Sequence, residues 1–205
     1  MLRRSLFAAA AVAVIALPAW AQAPAQNGTP ARVRGTVEKL DGHTLVVKSR
    51  EGGTVSIALS PDVKVAVLVK KSLADIKPND YVASTGVKGS DGRLHAVEVR
   101  ILPEAMRGVG EGQRPWDLKP GSLMTNATVT GTAKVEGGEL LKVKYKDGES
   151  DYVVGPECPV LGMADGDTGL LKPGAAVFVI AQKHPDGSLT SARLYAEKDG
   201  VKPPM

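Results

Sequence analysis

One pattern occurs twice in this chain, roughly one hundred residues apart. The stretch from Ala31 to Leu102 opens on Val33-x-Gly35-Thr36, and the stretch from Ala127 to Lys198 opens on Val129-x-Gly131-Thr132. Each runs through glycine-punctuated apolar segments to a Lys-Pro corner (Lys77-Pro78, Lys172-Pro173) and closes after Asp-Gly-x-Leu (Asp91-Gly92-x-Leu94, Asp186-Gly187-x-Leu189). A long period present only twice describes a duplicated small domain and excludes a solenoid, whose repeats are shorter and more numerous.

Within each copy the apolar residues alternate or cluster in short valine-rich runs, the signature of strands. In the first copy these runs are Val33–Leu40, His43–Ser49, Thr54–Leu59, Val63–Val69, Tyr81–Val87 and Arg93–Leu102, with Asp41-Gly42 as a two-residue hairpin turn. The second copy repeats them as Ala127–Val135, Glu139–Tyr145, Ser150–Val154, Val160–Met163, Ala175–Gln182 and Ser188–Tyr195. Ser72 is placed to cap a single helical turn before Lys77-Pro78. Five or six short strands in ~70 residues, with almost no helix, predict an all-β chain of two tandem small OB-like barrels, since closure removes exposed sheet edges. The expected boundaries are residues 32–102 and 127–198 for the barrels, with 103–126 as a docked linker and 199–205 as a tail.

The first residues read as an export signal. Arg3 and Arg4 form a positive n-region, Leu6 to Leu17 an apolar run too short to span a bilayer, and Ala19-Trp20-Ala21 a small-x-small cleavage site. Cleavage after Ala21 is expected, with residues 22–31 as a flexible leader; the paired arginines leave the general and twin-arginine routes both open. Losing Arg3 and Arg4 lowers the formal charge from +4 to +2, so the mature chain is nearly neutral. No further apolar run is long enough for a spanning helix. The reading is therefore a periplasmic protein that does not span the membrane. Cys158 is the single cysteine, so no intramolecular disulfide forms.

Several segments carry a resemblance. Gly35-Thr36-Val37, Leu45-Val46-Val47-Lys48, Leu73 through Lys77-Pro78, Tyr81-Val82 and Asp91-Gly92-Arg93-Leu94-His95-Ala96 resemble a family of exported bacterial OB-like barrel domains of unknown function. The Arg107–Leu118 loop and the run from Gly121 to Asn126 resemble its two-barrel alphaproteobacterial subgroup. The resemblance implies a fold and a compartment and brings no catalytic residues with it.

The chemistry-bearing residues are sparse. His43, His95 and His184 lack metal-ligand spacing, and Cys158 has no activating base nearby in sequence. Met106, Met124 and Met163 are soft ligands in principle but scattered along the chain, which favours core filling. Asp165 and Asp167 flank Gly166 and are the one cation candidate, short of the ligand count a calcium loop needs. Gly108-x-Gly110-x-Gly112 lacks the Lys-Ser/Thr of a phosphate loop. The barrels are aromatic-poor, which with export argues against nucleic acid. Trp116, with Arg114 and Asp117, stands on a Gly/Pro-rich connector where a mobile chain has nothing for a large ring to pack on. These three residues are therefore the expected partner or ligand contact; Trp116 either docks between the barrels with its indole N–H on a backbone carbonyl, the favoured use, or stands exposed as a partner-binding anchor. The expected function is a non-enzymatic periplasmic binding or scaffold protein that uses no cofactor and meets an unknown envelope protein or small ligand. The alternative is a small-ligand or metal-binding accessory protein of the envelope.

Overall fold

The protein is described from a computed structural model, which covers residues 28–204; the expected signal segment and most of the leader lie outside the described residues. The chain is all-β. Its strands are β1 (Thr29–Asp41), β2 (Thr44–Ser49), β3 (Thr54–Lys71), β4 (Tyr81–Lys88), β5 (Leu94–Ile101), β6 (Gly112–Pro115), β7 (Ser122–Val135), β8 (Gly138–Tyr145), β9 (Gly148–Val154), β10 (Val160–Asp165), β11 (Ala176–Lys183) and β12 (Leu189–Ala196). Helical structure among the described residues is limited to three 3-10 turns. One of these, Leu73–Asp75, is the expected turn: the Ser72 N–H and hydroxyl both donate to the Asp75 carboxylate, at 2.7 and 2.8 Å.

Two expected boundaries shift. The leader gives way at Thr29, because Thr29 to Thr36 already pair antiparallel with β11. The linker is half strand: β6 pairs with β7, and β7 begins at Ser122 inside the segment read as a loop. In addition, the third and fourth runs of the first copy fuse into the continuous β3, whereas Pro156 and Pro159 interrupt the matching stretch of the second copy and leave β9 and β10 separate.

The larger departure concerns which strands meet. β1, β2 and β3 form a meander, but the hairpin that completes their barrel is β11–β12 from the second copy. β11 pairs antiparallel with β1, and β12 pairs parallel with β3 (Thr190↔Ala58, Leu194↔Val65), closing a five-stranded barrel. The first copy's own hairpin, β4–β5, crosses to the second copy, where β4 pairs with β7 and β5 touches β9 at Leu94↔Tyr152 and His95↔Val153. Each ring of pairings therefore takes three strands from one copy and a hairpin from the other. The expectation that residues 32–102 and 127–198 each close on themselves does not describe this pairing. β10 stitches the two rings together, antiparallel to β3 and parallel to β5.

The register also corrects the sequence alignment of the copies. Both first hairpins carry a bulge, after Val37 in one and after Val129 in the other, and those two valines face Val47 and Val143. Val129 thus matches Val37 rather than Val33, so the two Val-x-Gly-Thr motifs occupy different ladder positions. The glycines confirm the offset. A Cβ at Gly35 would overlap the Lys48 carbonyl and sit 2.7 Å from Val47, while one at Gly131 would meet nothing within 4 Å. Gly35→Ala is expected to destabilise the protein by about 1–3 kcal/mol through an overlap with backbone that has nowhere to move. Gly131→Ala is expected to be neutral or slightly stabilising. Urea melts of the two variants check this, and equal effects would contradict the register.

Three apolar layers result. One core fills the first barrel around Val37, Leu45, Ile57, Val177, Val179 and Leu194; another fills the second ring around Val82, Val99, Val129, Leu141 and Tyr152. Between them runs a seam in which Leu68, Leu161, Phe178 and Tyr195 adjoin Tyr81, Ala83, Leu102 and Met124. Trp116 and Met163 pack against both halves of this seam.

Candidate functional site

The hairpin from β6 to β7 delivers Trp116 and Asp117 to the outer face of β1. The Trp116 N–H donates to the Ser122 carbonyl at 2.8 Å, and the Ser122 hydroxyl donates to the Trp116 carbonyl at 2.9 Å, which fixes the turn. Alternation along β1 sends Val33 and Val37 into the barrel, and hence Arg32 and Arg34 outward to the linker. Arg34 is 3 % exposed. Its Nη1 and Nη2 donate to both Asp117 carboxylate oxygens at 2.8 and 2.9 Å, and its Nε donates to the Pro204 carbonyl at 3.0 Å. The guanidinium lies 4.4 Å from the Phe178 ring centre. One buried side chain thus ties the barrel, the linker and the tail together.

Around this tie the indole of Trp116 collects cations. The guanidinium carbons of Arg32, Arg114 and Arg34 lie 4.1, 5.7 and 6.0 Å from its ring centre. A fourth, Arg50, donates to the Asp117 carbonyl at 3.2 Å. Burial pushes the Asp117 carboxyl upward, but the hydrogen bond and charge of Arg34, aided by Arg32, outweigh it and hold the group below the usual carboxylate range. Burial, with the charge of Arg32 adding to it, lowers the pKa of Arg114. The indole N–H is buried without a hydrogen-bond partner among the described residues, in place of the expected bond to a backbone carbonyl. Docking of the ring therefore rests on apolar contact and the arginine stack.

The structure brings the expected contacts Arg114, Trp116 and Asp117 into one cluster and adds Arg32, Arg34 and Arg50, which sequence reading missed. The available signal was the alternation in β1, which places Arg32 and Arg34 on one face; their proximity to Trp116 is a matter of tertiary contact alone. Asp165 ends β10, and Asp167 spends its carboxylate accepting from the Gly169 N–H at 2.8 Å to cap a 3-10 turn (Thr168–Leu170). No group of three or more His, Cys, Asp or Glu among the described residues is placed to hold a metal ion. Met106, Met124 and Met163 converge on the seam, where the Met124 and Met163 sulfurs lie near the hydroxyls of Thr85 and Tyr195, at 3.6 and 3.9 Å. The neighbouring guanidiniums make that corner unfavourable for a cation.

Two of the grooves among the described residues occupy matching positions of the two rings. One, of about 550 Å³, is lined by His95, Val97, Glu136 and Cys158, and the other, of about 700 Å³, by Leu59, Ile180, His184 and Arg193. Burial, with the charge of Glu98 adding to it, pushes the Cys158 thiol up to about 11, so it stays protonated at neutral pH and is a poor nucleophile. His95 shares its Nε2 with the Asp91 carboxylate at 3.1 Å on the exposed rim. Among the described residues no helix is long and apolar enough to cross a membrane. No protein-family model, curated protein or solved structure matches the chain.

Proposed function

We propose that this protein is a non-enzymatic periplasmic binding or scaffold module, made of two OB-like barrels that exchange their last hairpins, and that it meets its partner through the Trp116 face. The observation that supports this reading is the cluster of Arg32, Arg34, Arg50 and Arg114 around Trp116 and Asp117 at the seam of the two rings. An aromatic ring flanked by guanidiniums is the composition that concentrates binding energy at interfaces. Here the ring is also held in place before any partner arrives, which lowers the entropy cost of association.

A photocrosslinking residue at Arg50, compared with one at the exposed Lys134 on the far hairpin, tests the reading in the source cell. The expected result is one discrete adduct from position 50 that Arg32→Ala abolishes, and none from position 134. Adducts of equal yield from both positions, or none from position 50, would overturn it. The alternative reading, a small-ligand accessory protein, draws support from the local excess of positive charge, which selects anions over metals.

A further inference from the structure

We infer that Arg32 and Arg114, flanking the Trp116 ring, form a site for a phosphate oxyanion. The argument begins with counting donors. Arg34 spends its Nε and both Nη groups on Pro204 and Asp117. Both Asp117 oxygens are engaged by that fork, and the carboxylate comes no closer to Arg32 than 3.8 Å. Arg32 makes no hydrogen bond to any described residue, and its side chain is 40 % exposed. Arg114 donates to the Gly110 carbonyl at 2.7 Å and makes only a long contact, 3.5 Å, to Asn126. Arg50 makes a single 3.2 Å bond to a backbone carbonyl.

Among the described residues, Asp117 is the one carboxylate within 4 Å of any of these four guanidiniums, and it reaches only Arg32 and Arg34. The nearby acid Glu111 is turned to the Lys146 N–H at 3.1 Å. Arg32 and Arg114 both lie within 6 Å of one indole centre, close enough that the charge of Arg32 disfavours the charged form of Arg114. The ring face and Asp117 offset part of the repulsion between Arg32 and Arg114, and a bound anion would offset the rest. A guanidinium fork matches the oxygens of phosphate two at a time, and a phosphate dianion offers charge and oxygens for more than one fork. A cation is repelled from the same place, and a single carboxylate balances less of the excess. The Arg32 side chain is open to solvent and can be reached by a dissolved anion.

This inference rests on the Trp116 face being the binding face. Its phosphate belongs either to a free small molecule or to a phospholipid headgroup, and the test separates the two. The full chain carrying Trp20→Phe, with Trp116 as its sole tryptophan, is titrated with inorganic phosphate by calorimetry and by emission. It is also floated with vesicles of phosphatidylglycerol or of phosphatidylcholine. Saturable binding of phosphate that shifts Trp116 emission, weakened at least tenfold by Arg32→Ala and partly retained by Arg32→Lys, supports a free phosphate ligand. Binding only to phosphatidylglycerol vesicles, with the same dependence on Arg32, supports a headgroup. Arg32→Ala loses one cation–π contact with Trp116 and no hydrogen bond to a described residue, so its melting midpoint should fall only slightly and its circular dichroism should match that of the parent, which separates lost binding from lost folding. Absence of binding in both arms, or binding that Arg32→Ala leaves intact, overturns the inference. If position 50 still gives its Arg32-dependent crosslink in that case, the binding-module reading stands and only the phosphate assignment falls.

Discussion

Produced as separate chains, residues 1–102 and 103–205 should each lack a cooperative melt, and mixing them should restore the native sheet. The first barrel takes Leu171, Val177, Val179 and Leu194 from the second half, all 3 % exposed or less. Leaving four such side chains in water costs roughly 6–12 kcal/mol at about 1.5–3 kcal/mol each, comparable to the ~5–15 kcal/mol that holds a whole domain. A fragment cannot substitute its own hairpin without a mismatch. Gly86 of β4 faces Tyr152, and a Cβ there would lie 2.7 Å from the ring; the matching position of β11 is Ala181, in a core where the smaller Ile57 takes the place of Tyr152. Closing each copy on itself would press Ala181 into Tyr152 and leave Gly86 over Ile57 with a void. Circular dichroism melts of each fragment and of the mixture, with the mass of the complex from sedimentation, make the check. A cooperative melt from the 1–102 fragment by itself would contradict the exchanged pairing.

Trp116→Ala should lower stability by about 3 kcal/mol, the low end of the range for truncating a large aromatic, because the ring is partly buried. The ring fills the seam against residues of both rings, and Arg32, Arg34 and Arg114 rest on it. An indole N–H buried without a partner, as this one is among the described residues, costs ~1–3 kcal/mol. Trp116→Phe removes that polar group and keeps most of the apolar area, so it should recover much of the loss. Denaturant melts give both numbers. In the Trp20→Phe background the native emission should be blue-shifted and move to the red on unfolding. An emission already red in the native state would mean that the ring is not docked.

The all-β class was legible because strand chemistry is local. Valine-rich alternation, Asp41-Gly42 and the glycine turns act over a few residues, and the strands fall largely where those signals put them. Trp116 was legible as an anchor because its size on a Gly/Pro-rich connector demands something to pack on. β6 was missed because four residues, two of them Gly112 and Pro115, carry no periodicity; only pairing with β7 makes them a strand. The match of Val-x-Gly-Thr misled the alignment because a bulge and a longer second hairpin shift the ladder by residues that a motif does not count.

By itself, then, the sequence determined that this chain is built of short strands, and its repeated pattern and the tryptophan on the connector were the further signals it offered. Which hairpin closes which ring was decided only in three dimensions. The two hairpins share a pattern, and a local reading has no term that tells them apart. Distant volume matches distinguish them, such as Gly86 with Tyr152, where an added Cβ would lie 2.7 Å from the ring. The arginine cluster was settled in the same way. Arg32 and Arg34 look like ordinary residues of an exposed strand face until the linker lays Asp117 and Trp116 across them, and only that contact turns separate charges into one site.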